Sequence, residues 1–189
     1  MGIILENTKK TDELWNYFYS AYSFIEYTEE KTGEENTEAV SYLSKAGVNL
    51  SAWLKFGDEE YYKSCVILCE NAIFTTIKNG ILFYCKHIKS YRKKYNSDDL
   101  TKFVRDYSDK IKKVGEANRN IISYEKQSGN LEMCINSFYD VINFYEELIT
   151  YKYELKILKN RNRNNAIIAI SVAISAVATA IIMLIQLLK

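Results

Sequence analysis

The chain has 189 residues, and 25 Lys and Arg against 24 Asp and Glu leave a formal charge of +1, so its overall field neither demands nor excludes an anionic partner. With no proline and seven glycines it lacks the turn formers that a β-sandwich needs at its many tight connections, and long helices are expected. Once an apolar C-terminal run is set aside, about 160 residues remain, enough for one closed core and few for two domains.

Leu14, Phe18, Ala21 and Ile25 recur at helical spacing in a first helix, with Thr11 as a candidate N-cap, Asp12 and Glu13 in the first turn, and Gly33 as the stop. A second, shorter helix starts near Asn36, carries Val40, Leu43 and Leu50, is expected to kink around Gly47, and stops at Gly57. From Asp58 the positions Val66, Cys69, Ile73, Ile77, Ile81, Tyr84, Ile88, Tyr91 and Tyr95 repeat every three or four residues, predicting one long helix that ends at Asn96. Ser97-Asp98-Asp99 caps a fourth, whose stripe Leu100, Val104, Tyr107, Ile111, Val114, Asn118 and Ile121 steps by four and three until Gly129. Asn118 breaks that apolar stripe, as a buried asparagine that fixes helix register would, or one that simply contacts a helix terminus or water. A fifth helix opens at Asn130 with Leu131, Ile135, Phe138, Ile142, Tyr145 and Ile149 in the same register. Neither Pro nor Gly follows Leu131, so this helix is expected to run unbroken to Lys189, about 85 Å at 1.5 Å per residue, with Asn160 to Asn165 as its weakest stretch.

Ala166 to Leu188 reads AIIAISVAISAVATAIIMLIQLL, twenty-three residues without a charge where a bilayer core needs roughly 20. Lys152, Lys156, Lys159, Arg161 and Arg163 precede the run and only Lys189 follows it, so the positive-inside rule places the N-terminal part in the cytoplasm. The expected plan is all-α: a cytoplasmic antiparallel bundle of about five helices over residues 1–158, a basic, Asn-rich juxtamembrane segment over 159–165, and a single transmembrane helix over 166–188, the layout of a tail anchor.

Within the apolar run Ser171, Ser175, Thr179 and Gln186 fall within roughly 80° of one another at 100° per residue, and Ala169, Ala173, Ala176 and Ala180 make a small-residue stripe on the opposite side. Helices in lipid have no hydrophobic reason to associate, and close-packing small residues with interhelical hydrogen bonds supply one. Two such faces let one helix touch two neighbours, so a homo-oligomer is expected, with a ring that lines a pore as its extreme form.

The basic residues Lys152, Lys156, Lys159 and Arg163 continue the seam of the fifth helix, and attraction to anionic headgroups is their simplest role. Tyr151, Leu155 and Leu158 hold the adjacent apolar stripe. Lys86, Lys89, Arg92, Lys93 and Lys94, followed by Lys102, Arg105, Lys110, Lys112 and Lys113, form a possible partner-binding cluster. Solvated lysines are the commoner explanation, and nucleic acid is disfavoured though open. Glu26, Glu29, Glu30, Glu34, Glu35 and Glu38 offer an acidic counterpart within or between subunits.

Catalysis has little support. His87 is the only histidine, no serine or cysteine can be given an activating base, and the Arg-x4-6-His motif of helical ribonucleases is ruled out because no arginine precedes Arg92. Cys65 and Cys69 lie one turn apart and could share a zinc ion with Cys85, His87 or Cys134, but there is no CxxC knuckle and Cys69 sits on the core stripe. Buried free thiols in a reducing compartment are expected, with no metal and no cofactor. Two functions fit these features. One is an oligomeric membrane effector that permeabilises or depolarises, in an antiviral or toxin-like setting; the other is an anchored adaptor whose bundle recruits a soluble protein.

Overall fold

The stops expected at Gly33 and Gly57 are both made by left-handed backbone, with φ of +69° and +72°, a region glycine enters without a Cβ penalty. Their N–H groups donate to the carbonyls of Glu29 and Trp53 at 2.8 and 2.7 Å, closing the helices they end. The computed structural model describes residues 2–95 and 97–187, with side chains over 8–95 and 97–175. Among the described residues it is all helical: α1 (Gly2–Thr32), α2 (Thr37–Phe56), α3 (Glu59–Lys94), α4 (Ser97–Phe103), α5 (Tyr107–Glu125), α6 (Leu131–Thr150) and α7 (Lys152–Leu187).

Pairwise contacts fix the helix directions. Asn36 meets Asn79 and Asn49 meets Ser64, so α2 runs opposite to α3. Lys110 pairs with Glu147 and Asn120 with Ser137, so α5 runs opposite to α6. Lys10 with Glu59 and Lys31 with Glu146 set α1 parallel to both α3 and α6. The principal core lies where α3 crosses α1 and α6, around Ile77, Ile81, Phe138 and Ile142. A smaller one, of Leu14, Ala46, Trp53, Cys65 and Cys69, closes the end at which α3 begins.

Several expectations are corrected. Thr11 is not a cap, because α1 already starts at Gly2 and Thr11 is an exposed residue inside it. α2 passes Gly47 as one helix, and its buried stripe is Ala39, Ala46 and Trp53, while Val40 is exposed. Small side chains on that stripe let α2 approach α3 closely, which is its most extensive contact. The expected fourth helix is two: Asp106 takes left-handed backbone at φ 55°, where Asp is tolerated, and the bend lets α4 pack toward α7 while α5 lies along α6. The expected unbroken fifth helix is interrupted at Tyr151, φ −93° and ψ 13°, and Asn160 to Asn165 remain helical. Leu148 and Leu155 on either side of the interruption are fully buried, and the Tyr151 ring lies 5.7 Å from Phe103. The chain therefore has seven described helices where about five were expected.

Among the described residues the helix long and apolar enough to cross a bilayer is the mid-chain α3. Its buried residues, from Cys65 to Ile88, are covered by α1, α2 and α6, the environment of a bundle's core helix.

Candidate functional site

Among the described residues α7 is tied to the bundle over its first turns only. Leu155 is fully buried and Leu158 half-buried, Lys159 Nζ donates to the Lys94 carbonyl at 3.1 Å and sits 5.9 Å from the Tyr95 ring, and Asn162 Nδ2 reaches Asp99 Oδ2 at 3.4 Å. From Lys159 to Ser175 every residue is exposed. Ile167, Ile168, Ile170, Val172 and Ile174 each leave more than half of their surface open, an apolar projection of the kind that marks an interaction site.

Ser171 and Ser175 are on this continuous helix, one turn apart, and so share a face, with Ala169 and Ala173 on the other side. The Ser171 hydroxyl donates to the Ile167 carbonyl at 3.0 Å, the back-bonding that satisfies a hydroxyl inside its own helix and leaves its lone pairs for a neighbour. Thr179, Gln186, Ala176 and Ala180 lie outside the residues whose side chains are described.

The basic cluster divides in two. Lys102, Arg105, Lys110, Lys112 and Lys113 are each matched by a carboxylate, from Asp99, Asp106, Glu147, Asp109 and Asp140 respectively. Among the described residues Lys86, Lys89, Arg92, Lys93 and Lys94 are exposed and form no ion pair with a carboxylate. Lys86, Lys89 and Arg92 border a groove of about 620 Å³ between α3 and α5, whose apolar wall includes Ile88, Ile111 and Val114. Arg92 lies near the buried Tyr107 hydroxyl, which lacks a well-formed hydrogen bond; burial raises that phenol's pKa and the guanidinium partly offsets the rise. Asn118 does not lock a register: it is half-buried and donates to the Val114 carbonyl of its own helix and weakly to Cys85 Sγ.

One feature has no sequence signal beyond the helix start at Asn36. A recess of about 260 Å³ by the α1–α2 turn is bordered by Thr28, Asn36, Asn79, Phe83 and Lys86, and the Thr28 hydroxyl and Asn36 Nδ2 are buried there without hydrogen-bond partners among the described residues. Asn36 is otherwise held on both sides, its N–H by Glu29 Oε1 at 2.7 Å and its Oδ1 by Asn79 at 3.1 Å. Glu34 and Glu35 share the rim with Lys86 but form no ion pair with it among the described residues.

The thiols are free. Burial raises Cys85 and Cys134; Cys69 is raised mainly because its thiol donates to Cys65, which that bond lowers. Cys65 Sγ in turn faces the Ala46 carbonyl at 3.4 Å. Among the described residues no three His, Cys, Asp or Glu side chains gather as metal ligands. His87 is half-buried between the Phe83 and Tyr145 rings, at 4.4 and 5.6 Å, an aromatic packing position. No protein-family model, curated protein or solved structure matches the chain.

Proposed function

We propose that the chain is a single-pass membrane protein. Its bundle stands in the cytoplasm on a C-terminal span over 166–188, and the span gathers copies of the chain into an assembly that permeabilises or depolarises the bilayer. The observation that carries this reading is the projection of α7, which leaves the bundle at Lys159 and holds its isoleucines and valines in the open. Such a surface needs a cover, and twenty-three uncharged residues match the thickness of a bilayer core. The competing span, α3, would have to abandon the packing of Ile77, Ile81 and Ile88 inside the bundle, so its apolarity is already accounted for by the core.

Self-association rests on the Ser171 and Ser175 face and the Ala169 and Ala173 face, continued by Thr179 and Ala180 in sequence. An antiviral or toxin-like effector is the biological class such a device serves. The adaptor reading draws its support from the five unpaired cations of α3, which leave the bundle with a charged face of its own. Replacing residues 166–188 with a poly-leucine anchor separates the two: an adaptor keeps its activity and an effector loses it. Changing Ser171, Ser175 and Thr179 together to Leu is the finer test. Insertion should persist, while oligomer mass in detergent and dye leakage from loaded vesicles should both fall. Each interhelical hydrogen bond in lipid contributes only about 0.6 kcal/mol, so single changes should do little. A triple variant that stays fully assembled and equally leaky would leave α7 as an anchor alone.

A further inference from the structure

We infer that the end of the bundle from which α7 emerges is a docking surface for an anionic phospholipid bilayer, formed by Arg92, Lys93 and Lys94 of α3 beside Lys159, Arg161 and Arg163 of α7. The bundle is then held upright on the membrane and does not swing from its tail. This inference rests on the reading of 166–188 as a span.

The two sets of cations are far apart in sequence, and the fold joins them. Lys159 Nζ donates to the carbonyl of Lys94, and the next turn of α7 is tied to α4 through Asn162 and Asp99. From Asn162 to Ala166 is four residues of helix, about 6 Å. The headgroup layer on each side of a bilayer is about 5–8 Å deep. From Lys159 the rise is about 10 Å, so with α7 upright the short α4 is at the headgroup layer and the last turn of α3 just outside it, within reach of long Lys and Arg side chains, and charge decides whether this end settles onto the surface.

Chemistry favours the anionic kind. Among the described residues these cations have no carboxylate partner, whereas the lysines on α5, turned toward α6, are paired with Glu147 and Asp140. Arg92, Lys93 and Lys94 all lie in the last turn of α3 and so also answer the helix dipole, an interaction that leaves their charged ends exposed to meet headgroups. The acidic groups of α4 are Asp98 and Asp99, the latter shared between Lys102 and Asn162, and Asp106 and Asp109 just after it are paired with Arg105 and Lys112. Positive charge dominates the face. The opposite pole, where α2 ends and α3 begins, carries Asp58, Glu59 and Glu60 beside Lys55 and Lys10, the last paired with Glu59, and has no such excess of positive charge.

The test uses the full chain in lipid nanodiscs, either of phosphatidylcholine alone or with phosphatidylglycerol added. A fluorophore is placed at Lys93→Cys in a Cys85→Ala background, since the other three cysteines are buried, and a quencher is carried on the lipid headgroup. A second label at Lys55→Cys marks the far pole. The Lys93 label should be quenched at least fivefold more in anionic discs than in neutral ones, the difference should collapse in high salt or with Arg92→Glu and Lys94→Glu, and the Lys55 label should stay dark to the quencher. Circular dichroism of the glutamate variants checks that they fold, and neutralisation with Gln at the same two positions should give an intermediate loss. Equal, weak quenching in both discs with the chain firmly inserted overturns the docking face and leaves the span intact. Equal, strong quenching overturns the role of charge, and displacement by inorganic phosphate without any lipid dependence assigns the cations to a soluble phosphate ligand. A chain that does not enter the discs at all overturns the span and this inference with it.

Discussion

Gly80 lies under the ring of Phe138, and a Cβ built on it would overlap ring atoms of a side chain that is itself fully buried. Overpacking of this kind costs about 1–3 kcal/mol, and the better helix propensity of alanine returns about 1. Gly80→Ala should therefore lower the urea midpoint of the bundle by the equivalent of about 1 kcal/mol, and Phe138→Leu in the same chain should reduce that penalty. The tyrosines make a second residue-level prediction. Burial is the first cause that raises the phenols of Tyr17, Tyr27, Tyr84, Tyr91, Tyr107, Tyr124 and Tyr145, with Tyr84 reaching about 12. Tyr62 also reaches about 12, by burial and by donating to Glu13 at 2.8 Å. An acid whose folded pKa lies above its unfolded value of about 10 contributes stability that is complete below pH 10 and lost as pH rises toward 12. Thermal unfolding followed by circular dichroism should be flat in pH through neutrality and fall above about pH 10. Tyr62→Phe should make that fall shallower.

The joint between α6 and α7 shows what an element needs beyond its own sequence. Tyr151 sits among good helix formers with no breaker nearby, yet the helix is interrupted there, between the fully buried Leu148 and Leu155 and with the Tyr151 ring against Phe103. Leu155→Ala should loosen this joint. The loss, about 2–4 kcal/mol for a fully buried leucine, should appear as faster hydrogen exchange over α7 residues 152–159, with the amides of α3 still protected. The same contrast explains which elements could be read from sequence. The stops at Gly33 and Gly57 and the helix start at Asp58 are local chemistry, and the periodic residues of α3 name its buried face. In α2 the expected Leu43 and Leu50 do pack against the cores, but Val40 is exposed, and the fully buried Ala39 and Ala46 carry no apolar bulk for a pattern to register. The left-handed turn at Asp106 had no signal at all, since it answers the divergence of α4 and α5.

At the scale of the whole molecule, the candidate site is a product of topology. The cations of α3 and those of α7 are each visible as runs, but their meeting depends on a contact between Lys94 and Lys159, sixty-five residues apart, which no local pattern records. Both cores and every described ion pair lie before that contact, and the residues after it are exposed over the described part of the helix. A chain ended at Lys159 should thus keep what holds the fold together and lose the exposed apolar projection. It should be soluble and strongly helical, and it should unfold in one cooperative step, since a single domain of this size with two adjoining cores behaves as a unit. Its Leu155 seat and the Lys159 bond to Lys94 are retained, so the last turns of α3 should remain protected from exchange. A truncated chain that is helical yet aggregates would mean that the exposed Trp15, Tyr19 and Tyr22 of α1, or other bundle surface, also needs a cover. In that case any self-association would begin in the bundle and not in α7.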